Sequence, residues 1–249
     1  MRKKLIAANW KMYKTPSEAV SFAESFLPLV KDHRRDEIVL CPPFPALTAV
    51  AGALRGSHVK LGAQDMHWEK EGAFTGEVSA HMLAAAGCTH VIIGHSERRQ
   101  FFGETDETVH LKLLATLHAS LTPIVCVGEF LAQRQAGETE AVLHQQISGA
   151  FHGVPHDLAS HITIAYEPVW AIGTGNTATP EIACACHRCI RMDIAKIFGA
   201  SAASRTRILY GGSVKPENAK ALLSQEEIDG ALVGGASLDP KSFSAIVHY

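Results

Sequence analysis

Three side chains could take part in proton transfer, and each lies close to the end of a short apolar run. They are Lys11, His95 and Glu167. Glu167 follows the apolar run at residues 162–166, and Pro168 prevents that run from continuing as a regular strand. A carboxylate in this position is suited to act as a general base, an imidazole can exchange a proton, and an ammonium group can stabilise a developing negative charge. These residue types together predict proton-transfer chemistry on a small anionic substrate.

A short apolar segment follows Glu167 and ends in two glycines, which is typical of a hinged flap. A flap beside a general base can close over a ligand and exclude water from the reaction. The alternative interpretation is an exposed glutamate before an ordinary loop. We expect a lid made of Pro168, Val169, Trp170, Ala171, Ile172, Gly173, Thr174, Gly175 and Asn176.

Asn9 and Lys11 follow the first apolar run of the chain. A polar residue that ends a buried strand needs a hydrogen-bond partner, and a lysine beside it supplies a positive charge. A solvated surface lysine is the alternative interpretation of Lys11. The pair together predicts an anion-binding corner.

His95 belongs to the segment GHSERR at residues 94–99, where a predicted strand gives way to a helix. The amino-terminal end of a helix disfavours an imidazolium ion, so we expect His95 to be neutral at pH 7 and able to donate a hydrogen bond. The segment nearly matches the nucleophile elbow G-x-S-x-G. Because Arg98 occupies the position of the second glycine, we discount a serine hydrolase.

Paired glycines end the last two predicted strands, with Gly211-Gly212 before Ser213 and with Gly234-Gly235 further on. Glycine allows backbone N–H groups to approach a ligand closely, and a short helix after it adds a favourable dipole. Paired glycines also occur in ordinary turns, but two pairs at neighbouring strand ends favour a phosphate site.

Residues 173–178 fit the dinucleotide fingerprint G-x-G-x-x-A, with Asp193 further along as the possible ribose-binding acid. The glycines lie well beyond the strand end, however, and Asp193 falls inside a predicted helix. We therefore reject a dinucleotide site.

A cysteine-rich stretch lies in the same predicted helix. Cys184 and His187 share one face of the helix, whereas Cys186 and Cys189 share another. Four such ligands cannot converge on one tetrahedral metal ion. We predict core packing with some exposed thiol there, and no metal site.

Short apolar runs alternate with helix-like segments along the whole chain. We predict strands at Leu5–Asn9, Ile38–Cys41, Val59–Ala63, His90–Ile93, Pro123–Val127, Ile162–Tyr166, Arg207–Tyr210 and Ala231–Val233. We predict helices at Ser17–Val30, Thr108–Ser120, Glu138–Phe151, Pro180–Phe198 and Pro216–Leu223. This alternation favours an α/β fold that closes as a (β/α)8 barrel, and an open doubly wound sheet is the main rival. No composition break divides residues 1–249, so we expect a single domain.

The candidate residues share one location in such a barrel. Functional side chains lie at the carboxyl ends of the strands, and phosphate sites recur after the last two strands. All of the candidates follow predicted strand ends, so we expect them to converge on one mouth of the barrel.

Composition limits the possible partners. The 249 residues include 19% charged residues and carry a formal net charge of -2, which gives no electrostatic reason to bind nucleic acid or an anionic membrane. No apolar run approaches the roughly 18 residues of a membrane span, and the basic start does not resemble a signal peptide. Cys41, Cys88 and Cys126 lie in or beside apolar runs, and the six cysteines form no disulfide framework. We expect a cytoplasmic protein.

Eight segments, taken in their order and spacing, carry a family resemblance. They lie at 8–12 (ANWKM), 41–43 (CPP), 62–64 (GAQ), 94–99 (GHSERR), 126–129 (CVGE), 166–175 (YEPVWAIGTG), 210–214 (YGGSV) and 233–236 (VGGA). Together they resemble the triosephosphate isomerase family almost from end to end. The resemblance implies a TIM barrel that interconverts dihydroxyacetone phosphate and D-glyceraldehyde 3-phosphate in glycolysis and gluconeogenesis, without cofactor or metal.

The resemblance also implies a role for each candidate residue. Glu167 would take the proton from the carbon next to the carbonyl, and neutral His95 would polarise the carbonyl and shuttle a proton between the two enediolate oxygens. Lys11 would stabilise negative charge with Asn9 beside it, and Glu97 and Ser96 would support His95 and Lys11. The phosphate would be bound by N–H groups of Gly173, Ser213, Gly234 and Gly235.

Members of this family are typically homodimers. Residues 72–77 match the family's interdigitating loop, and Thr75 would reach toward Asn9 and Lys11 of a second copy. Phe74 in this loop would leave an apolar patch exposed on a monomer. The resemblance therefore favours a dimer.

The sequence departs from the family pattern at Asn176, where lysine is common, and in the cysteine-rich helix. Two other functions stay open at this point. An aldolase or a biosynthetic isomerase on the same barrel would be expected to use a Schiff-base lysine or a second acid at the mouth. A non-catalytic interaction protein would be expected to lack one of Lys11, His95 and Glu167, and all three are present.

Overall fold

The computed structural model describes residues 2–172 and 177–249. Within them, eight parallel strands form a closed barrel in which each strand pairs with the next and the last pairs with the first. The strands are β1 (Leu5–Asn9), β2 (Glu37–Cys41), β3 (Lys60–Ala63), β4 (His90–Ile93), β5 (Thr122–Val127), β6 (Thr163–Tyr166), β7 (Arg207–Tyr210) and β8 (Gly230–Val233). The predicted (β/α)8 barrel is confirmed, and the open doubly wound sheet is wrong.

Helices surround the barrel. Those among the described residues are α1 (Pro16–Val30), α2 (Leu47–Ala53), α3 (Ala80–Ala85), α4 (Ser96–Phe101), α5 (Asp106–His118), α6 (Leu131–Gln135), α7 (Thr139–Phe151), α8 (Pro180–Phe198), α9 (Ala200–Arg205), α10 (Pro216–Leu223) and α11 (Pro240–Val247). Short 3₁₀ turns lie at Phe44–Ala46, His156–His161, Val169–Ala171 and Gly235–Leu238. In residues 2–172 and 177–249, no helix is both long and apolar enough to cross a membrane.

The predicted strand boundaries agree with the structure to within one residue, and the helix boundaries agree less well. The helix predicted at Thr108–Ser120 is α5, which begins and ends earlier than expected. The side chain of Thr105 accepts a hydrogen bond from the Thr108 N–H and caps the helix at that point. Ser120 has a φ of +58°, a left-handed conformation that an α-helix cannot continue through. The shortest helices were not predicted because one or two turns show no clear periodicity.

Strand side chains alternate between the barrel interior and the helix layer. Ala7 and Ala165 belong to a buried cluster that fills the interior, whereas Ala8 joins the larger cluster beneath the helices. The same alternation continues past the strand ends. Asn9 and Glu167, each two residues after an inward alanine, therefore face the interior at the mouth.

Gly230 permits the closure of the barrel between β8 and β1. It has a φ of +139°, and a Cβ atom there would lie 1.9 Å from the carbonyl oxygen of Leu5. We expect Gly230→Ala to destabilise the protein by about 3 kcal/mol, because the β1 backbone must move to accept a methyl group. Urea unfolding measures this change in the free energy of unfolding.

Gly52→Ala is the matched control for that variant. Gly52 lies inside α2 with open space at its Cβ position. Alanine there is expected to stabilise the protein by about 0.5–1 kcal/mol, because it restricts the unfolded chain. Equal stability of the two variants would contradict the steric argument for Gly230.

Candidate active site

The predicted site residues converge on one cavity at the carboxyl ends of the strands. This cavity has a volume of about 660 Å³. It is lined by Asn9 at the end of β1 and Lys11 beyond it, His95 after β4, Glu167 after β6, Gly211 to Ser213 after β7, and Gly234 and Gly235 after β8. Residues from five separate strand ends therefore share one mouth, as the alternation along the strands predicts.

The Glu167 carboxylate is almost completely buried, at 2% exposure. Its Oε2 accepts a hydrogen bond from the Ser96 N–H at 2.8 Å. Its Oε1 lies 2.9 Å from His95 Nε2, although no donor among the described residues is aligned with it in hydrogen-bonding geometry. Burial raises the pKa of Glu167, but the electrostatic influence of the adjacent His95 ring and the hydrogen bond from the Ser96 N–H outweigh burial and lower it. The carboxyl group is therefore ionised at neutral pH.

The backbone of Glu167 is held between two glycines. Its N–H donates to the Val127 carbonyl at 2.7 Å. A Cβ atom on Gly128 would lie 1.7 Å from the Glu167 carbonyl oxygen, and a Cβ atom on Gly211 would lie 2.9 Å from Glu167 Cγ. Only glycine leaves room for the Glu167 backbone on one side and its side chain on the other.

His95 lies at the amino-terminal end of α4. Its Nδ1 accepts a hydrogen bond from the Glu97 N–H at 3.2 Å. A nitrogen that accepts in this way carries no proton, so the contact favours the neutral imidazole with its hydrogen on Nε2. Nε2 is the ring nitrogen that lies beside Glu167, 2.9 Å from its Oε1.

The expected direction of the His95 pKa shift is wrong. Burial lowers the pKa of His95, but the adjacent Glu167 carboxylate raises it by more, so the net shift is upward. The sequence argument considered only the helix terminus and did not include a carboxylate in contact with the ring. The expectation of a neutral ring rests instead on the hydrogen bond to Nδ1.

Lys11 lies in a left-handed backbone conformation, with a φ of +52°. Its N–H donates to Asn9 Oδ1 at 3.0 Å, which provides Asn9 with the partner that its burial requires. Its Nζ pairs with Glu97 Oε1 in the first turn of α4. A non-glycine residue held at positive φ is costly, and such residues concentrate at functional sites.

Buried charges fix the backbone just before α4. Glu104 Oε2 accepts a hydrogen bond from the Gly94 N–H at 3.2 Å. Its Oε1 pairs with Lys112 and lies 2.5 Å from Arg98 Nε. Another guanidinium nitrogen of Arg98, Nη2, lies 2.9 Å from Asp65 Oδ2. This network of paired charges links the loop before His95 to β3, α4 and α5.

Only the first part of the predicted lid lies within the described residues. Val169–Ala171 form a 3₁₀ turn, and Ile172 lines the cavity. The Trp170 indole N–H donates to Glu129 Oε1 at 2.9 Å, and the Val169 N–H donates to the Glu129 carbonyl. The remaining lid residues lie outside the described part of the chain, and they are Gly173, Thr174, Gly175 and Asn176.

Glu129 is a site residue that the sequence reasoning missed. It is fully buried and also accepts a hydrogen bond from the Tyr166 hydroxyl at 3.1 Å. It therefore anchors both the end of β6 and the start of the lid. The signal that identified Glu167, an acid just after an apolar strand, is also present at Glu129 after Val127.

Ser213, Gly234 and Gly235 line the cavity in the positions expected for a phosphate site. Gly234 packs beside Lys11, because a Cβ atom there would lie 3.5 Å from Lys11 Cε. Thr75 does not line this cavity in its own chain. It lies exposed on the loop for which the family resemblance implies a dimer contact.

The cysteine-rich part of α8 points toward several different neighbours. The Cys184 thiol donates to Gln225 Oε1 at 3.9 Å, and His187 Nδ1 lies 3.0 Å from the Glu227 carbonyl oxygen. Cys184 and Cys186 are buried and Cys189 is partly buried. Among residues 2–172 and 177–249, no group of three or more histidine, cysteine or acidic residues could hold a metal ion.

Comparison with known proteins gives one consistent match. The family model for triosephosphate isomerase matches residues 4–249. Triosephosphate isomerase of Solibacter usitatus is 59% identical over 249 residues and covers 100% of both chains. That of Geotalea uraniireducens is 55% identical over 100% of this chain and 99% of its own. The crystal structure of triosephosphate isomerase from Bartonella henselae matches with a TM-score of 0.90 at 38% identity, covering 99% of each chain.

The geometry predicts a measurable coupling between His95 and Glu167. In Glu167→Gln the carboxylate charge is lost while the ring stays buried, so we expect the pKa of His95 to fall. Nitrogen NMR of the imidazole as a function of pH measures the midpoint directly. His144, an exposed histidine on α7, serves as the internal control and should not shift. An unchanged His95 midpoint would show that the two side chains are not in contact in solution.

Proposed function

The chain belongs to the triosephosphate isomerase family, and we propose that Glu167, His95 and Lys11 are the residues that carry out its reaction. The protein is an isomerase that interconverts dihydroxyacetone phosphate and D-glyceraldehyde 3-phosphate, a step of glycolysis and gluconeogenesis. The family match over residues 4–249 decides against an aldolase, another biosynthetic isomerase or a non-catalytic protein.

Glu167 is the proposed base that moves the proton between the two carbon atoms. The observation that carries this assignment is its ionised, buried carboxylate at the cavity, with Oε1 lacking an aligned donor among the described residues. An ionised carboxylate can accept a proton, and an oxygen without an aligned donor has its lone pairs available for one. The carboxylate is therefore prepared to accept a proton from a bound substrate.

His95 is the proposed electrophile and proton shuttle. The hydrogen bond at Nδ1 favours a proton on Nε2, where it can polarise the substrate carbonyl and then move between the two enediolate oxygens. A substrate between His95 and Glu167 would take the place of the carboxylate contact. The Glu167 carboxylate would then raise the pKa of His95 by less, which favours the neutral ring during the reaction.

Lys11 is the proposed source of positive charge for the developing enediolate. Its ammonium group lies at the cavity and is oriented by Glu97, while Asn9 holds its backbone. A fixed cation in a partly enclosed site stabilises negative charge more strongly than it would in water. The cation is in place before the substrate binds.

We propose that the phosphate is bound by backbone N–H groups at the last two strand ends. Ser213, Gly234 and Gly235 line the cavity next to Lys11, and we assign Gly173 to the same group from the family resemblance. Closure of the lid at residues 168–176 would exclude water and protect the enediolate from loss of phosphate. The hydrogen bond from Trp170 to Glu129 supports a lid whose first residues are held in place.

Glu167→Gln tests the assignment of the base. We expect kcat to fall by a factor on the order of 10²–10⁴, the contribution typical of a general base, with the fold unchanged by circular dichroism. The assay couples product formation from glyceraldehyde 3-phosphate to a dehydrogenase. Glu226→Gln, at an exposed position, is the control and should keep full turnover. Near-normal kcat in Glu167→Gln would remove Glu167 from the mechanism.

We also propose that the protein is a homodimer. A second cavity of about 310 Å³ adjoins the active site and is lined by Met12, Phe44, Gln64 and Phe102 together with Lys11. Met12 and Phe102 are exposed to 93% and 67% on the single chain. Apolar surface of this extent beside a cavity is typical of a protein–protein interface.

The loop that would fill this cavity is already ordered. His67 stacks on Trp68 with ring centroids 4.1 Å apart, and Phe74 packs on His67 at 4.3 Å. A bridge between His67 and Ser79 closes the base of the loop. Thr75 at its exposed tip could enter the second cavity of another copy, where Lys11 lies, and a preformed loop loses little entropy on docking.

Phe102→Asp tests the dimer. A carboxylate in the proposed interface opposes burial, so we expect sedimentation to show a monomer with reduced turnover. Met192→Asp, at a similarly exposed apolar position on α8 (62%), is the control and should leave the dimer intact. A wild-type chain that sediments as a monomer at micromolar concentration would refute the proposal.

We further infer that the whole chain is one domain and that it works in the cytoplasm. The family match extends over residues 4–249, and a glycolytic reaction belongs to that compartment. The six free cysteines are consistent with reducing conditions.

A further inference from the structure

Gln146 reaches from the outer helix layer to the end of β5. It lies on α7, a helix that contributes no residue to the main cavity. Its side-chain Oε1 accepts a hydrogen bond from the Gly128 N–H at 2.7 Å, and its Nε2 donates to the Gly128 carbonyl at 3.2 Å. One side chain therefore pairs with both backbone polar groups of a single residue.

The two hydrogen bonds from Gln146 take the place of those that a neighbouring strand would make to Gly128. The ladder between β5 and β6 ends where Val127 lies opposite Tyr166, one residue before Gly128. Gly128 is buried, and buried backbone groups without partners are costly. The planar amide of Gln146 extends the pattern of backbone hydrogen bonds by one residue and fixes the Gly128 peptide in place.

Gly128 in turn defines the position of Glu167. The Glu167 carbonyl oxygen occupies the space where a side chain on Gly128 would begin. Little free space remains around them, since Gln146, Gly128, Ser96 and Glu167 are among the residues that line a cavity of only about 20 Å³. A shift of the Gly128 peptide must therefore move the Glu167 backbone.

We propose that Gln146 is a positioning residue for Glu167 and acts through the Gly128 peptide. This inference rests on the assignment of Glu167 as the base. Proton abstraction depends on the placement of the carboxylate to within a fraction of an ångström, and a displacement of about 1 Å costs on the order of 100-fold in rate. Substrate binding depends on residues at other strand ends. Loss of Gln146 is therefore expected to lower kcat and to leave KM nearly unchanged.

Gln146→Met tests this role, because methionine has similar length and makes neither hydrogen bond. We expect kcat to fall by about 10- to 100-fold, with KM within twofold and a native circular dichroism spectrum. Gln145→Met, at the exposed neighbouring position on α7, is the matched control and should keep normal kcat. A Gln146→Met variant with normal kcat would overturn the proposal, whether or not its KM is raised.

Gln146→Glu provides a second measurement if the methionine variant does not fold. Glutamate keeps the acceptor for the Gly128 N–H and loses the donor to the Gly128 carbonyl. We expect it to retain more of kcat than Gln146→Met while staying below the wild type. Wild-type kcat in Gln146→Glu would show that the bond to the carbonyl does not position the base.

A double-mutant cycle with Glu167→Gln separates this inference from the assignment of the base. If Gln146 acts through Glu167, Gln146→Met should reduce kcat by less than threefold in the Glu167→Gln background. An equal loss in both backgrounds would mean that Gln146 acts elsewhere. Normal turnover in Glu167→Gln alone would instead refute the base and leave the contact between Gln146 and Gly128 intact.

Discussion

The site depends on burying one carboxylate in its ionised form. A carboxylate at 2% exposure loses most of its hydration, which by itself would favour the protonated acid. The Ser96 N–H and the His95 ring offset that loss. Both belong to the start of α4, which follows β4, whereas Glu167 follows β6. The carboxylate must therefore reach across the end of β5, and the missing side chain at Gly128 allows the Glu167 backbone to lie close enough.

The order of the strands explains why these groups meet. Successive strands are neighbours around the barrel, so β4, β5 and β6 are adjacent and bring their carboxyl ends to the same edge. β1 and β8 are adjacent on the other side, which places Lys11 beside Gly234. The contact between Lys11 and Glu97 then joins the two sides at the mouth. Glu167, His95 and Lys11 thus follow different strands, and each contacts a residue from another strand end.

The strands and most of the site residues could be predicted from the sequence because they share one signal. A short apolar run that ends in a polar residue is recognisable without a structure, and Asn9, His95 and Glu167 all carry that signal. Contacts between elements distant in sequence carry no such signal. The upward pKa shift of His95 depends on a carboxylate 72 positions later in the chain. The proposed role of Gln146 depends on the conformation of a single side chain on an outer helix. Short helices such as α3 and α6 were missed because their length gives too little periodicity to detect.

The inward alternation along the strands also limits the shape of the pocket. Where it continues past β7 and β8 it reaches Gly211 and Gly234, and both line the cavity. At these two positions the wall is backbone alone, with no side chain to remove. Substitution can therefore make the cavity smaller there but not larger. An engineered variant for a longer substrate would have to gain its space by rebuilding the connecting loops. The main-chain atoms at these two positions therefore set an upper limit on the size of the substrate.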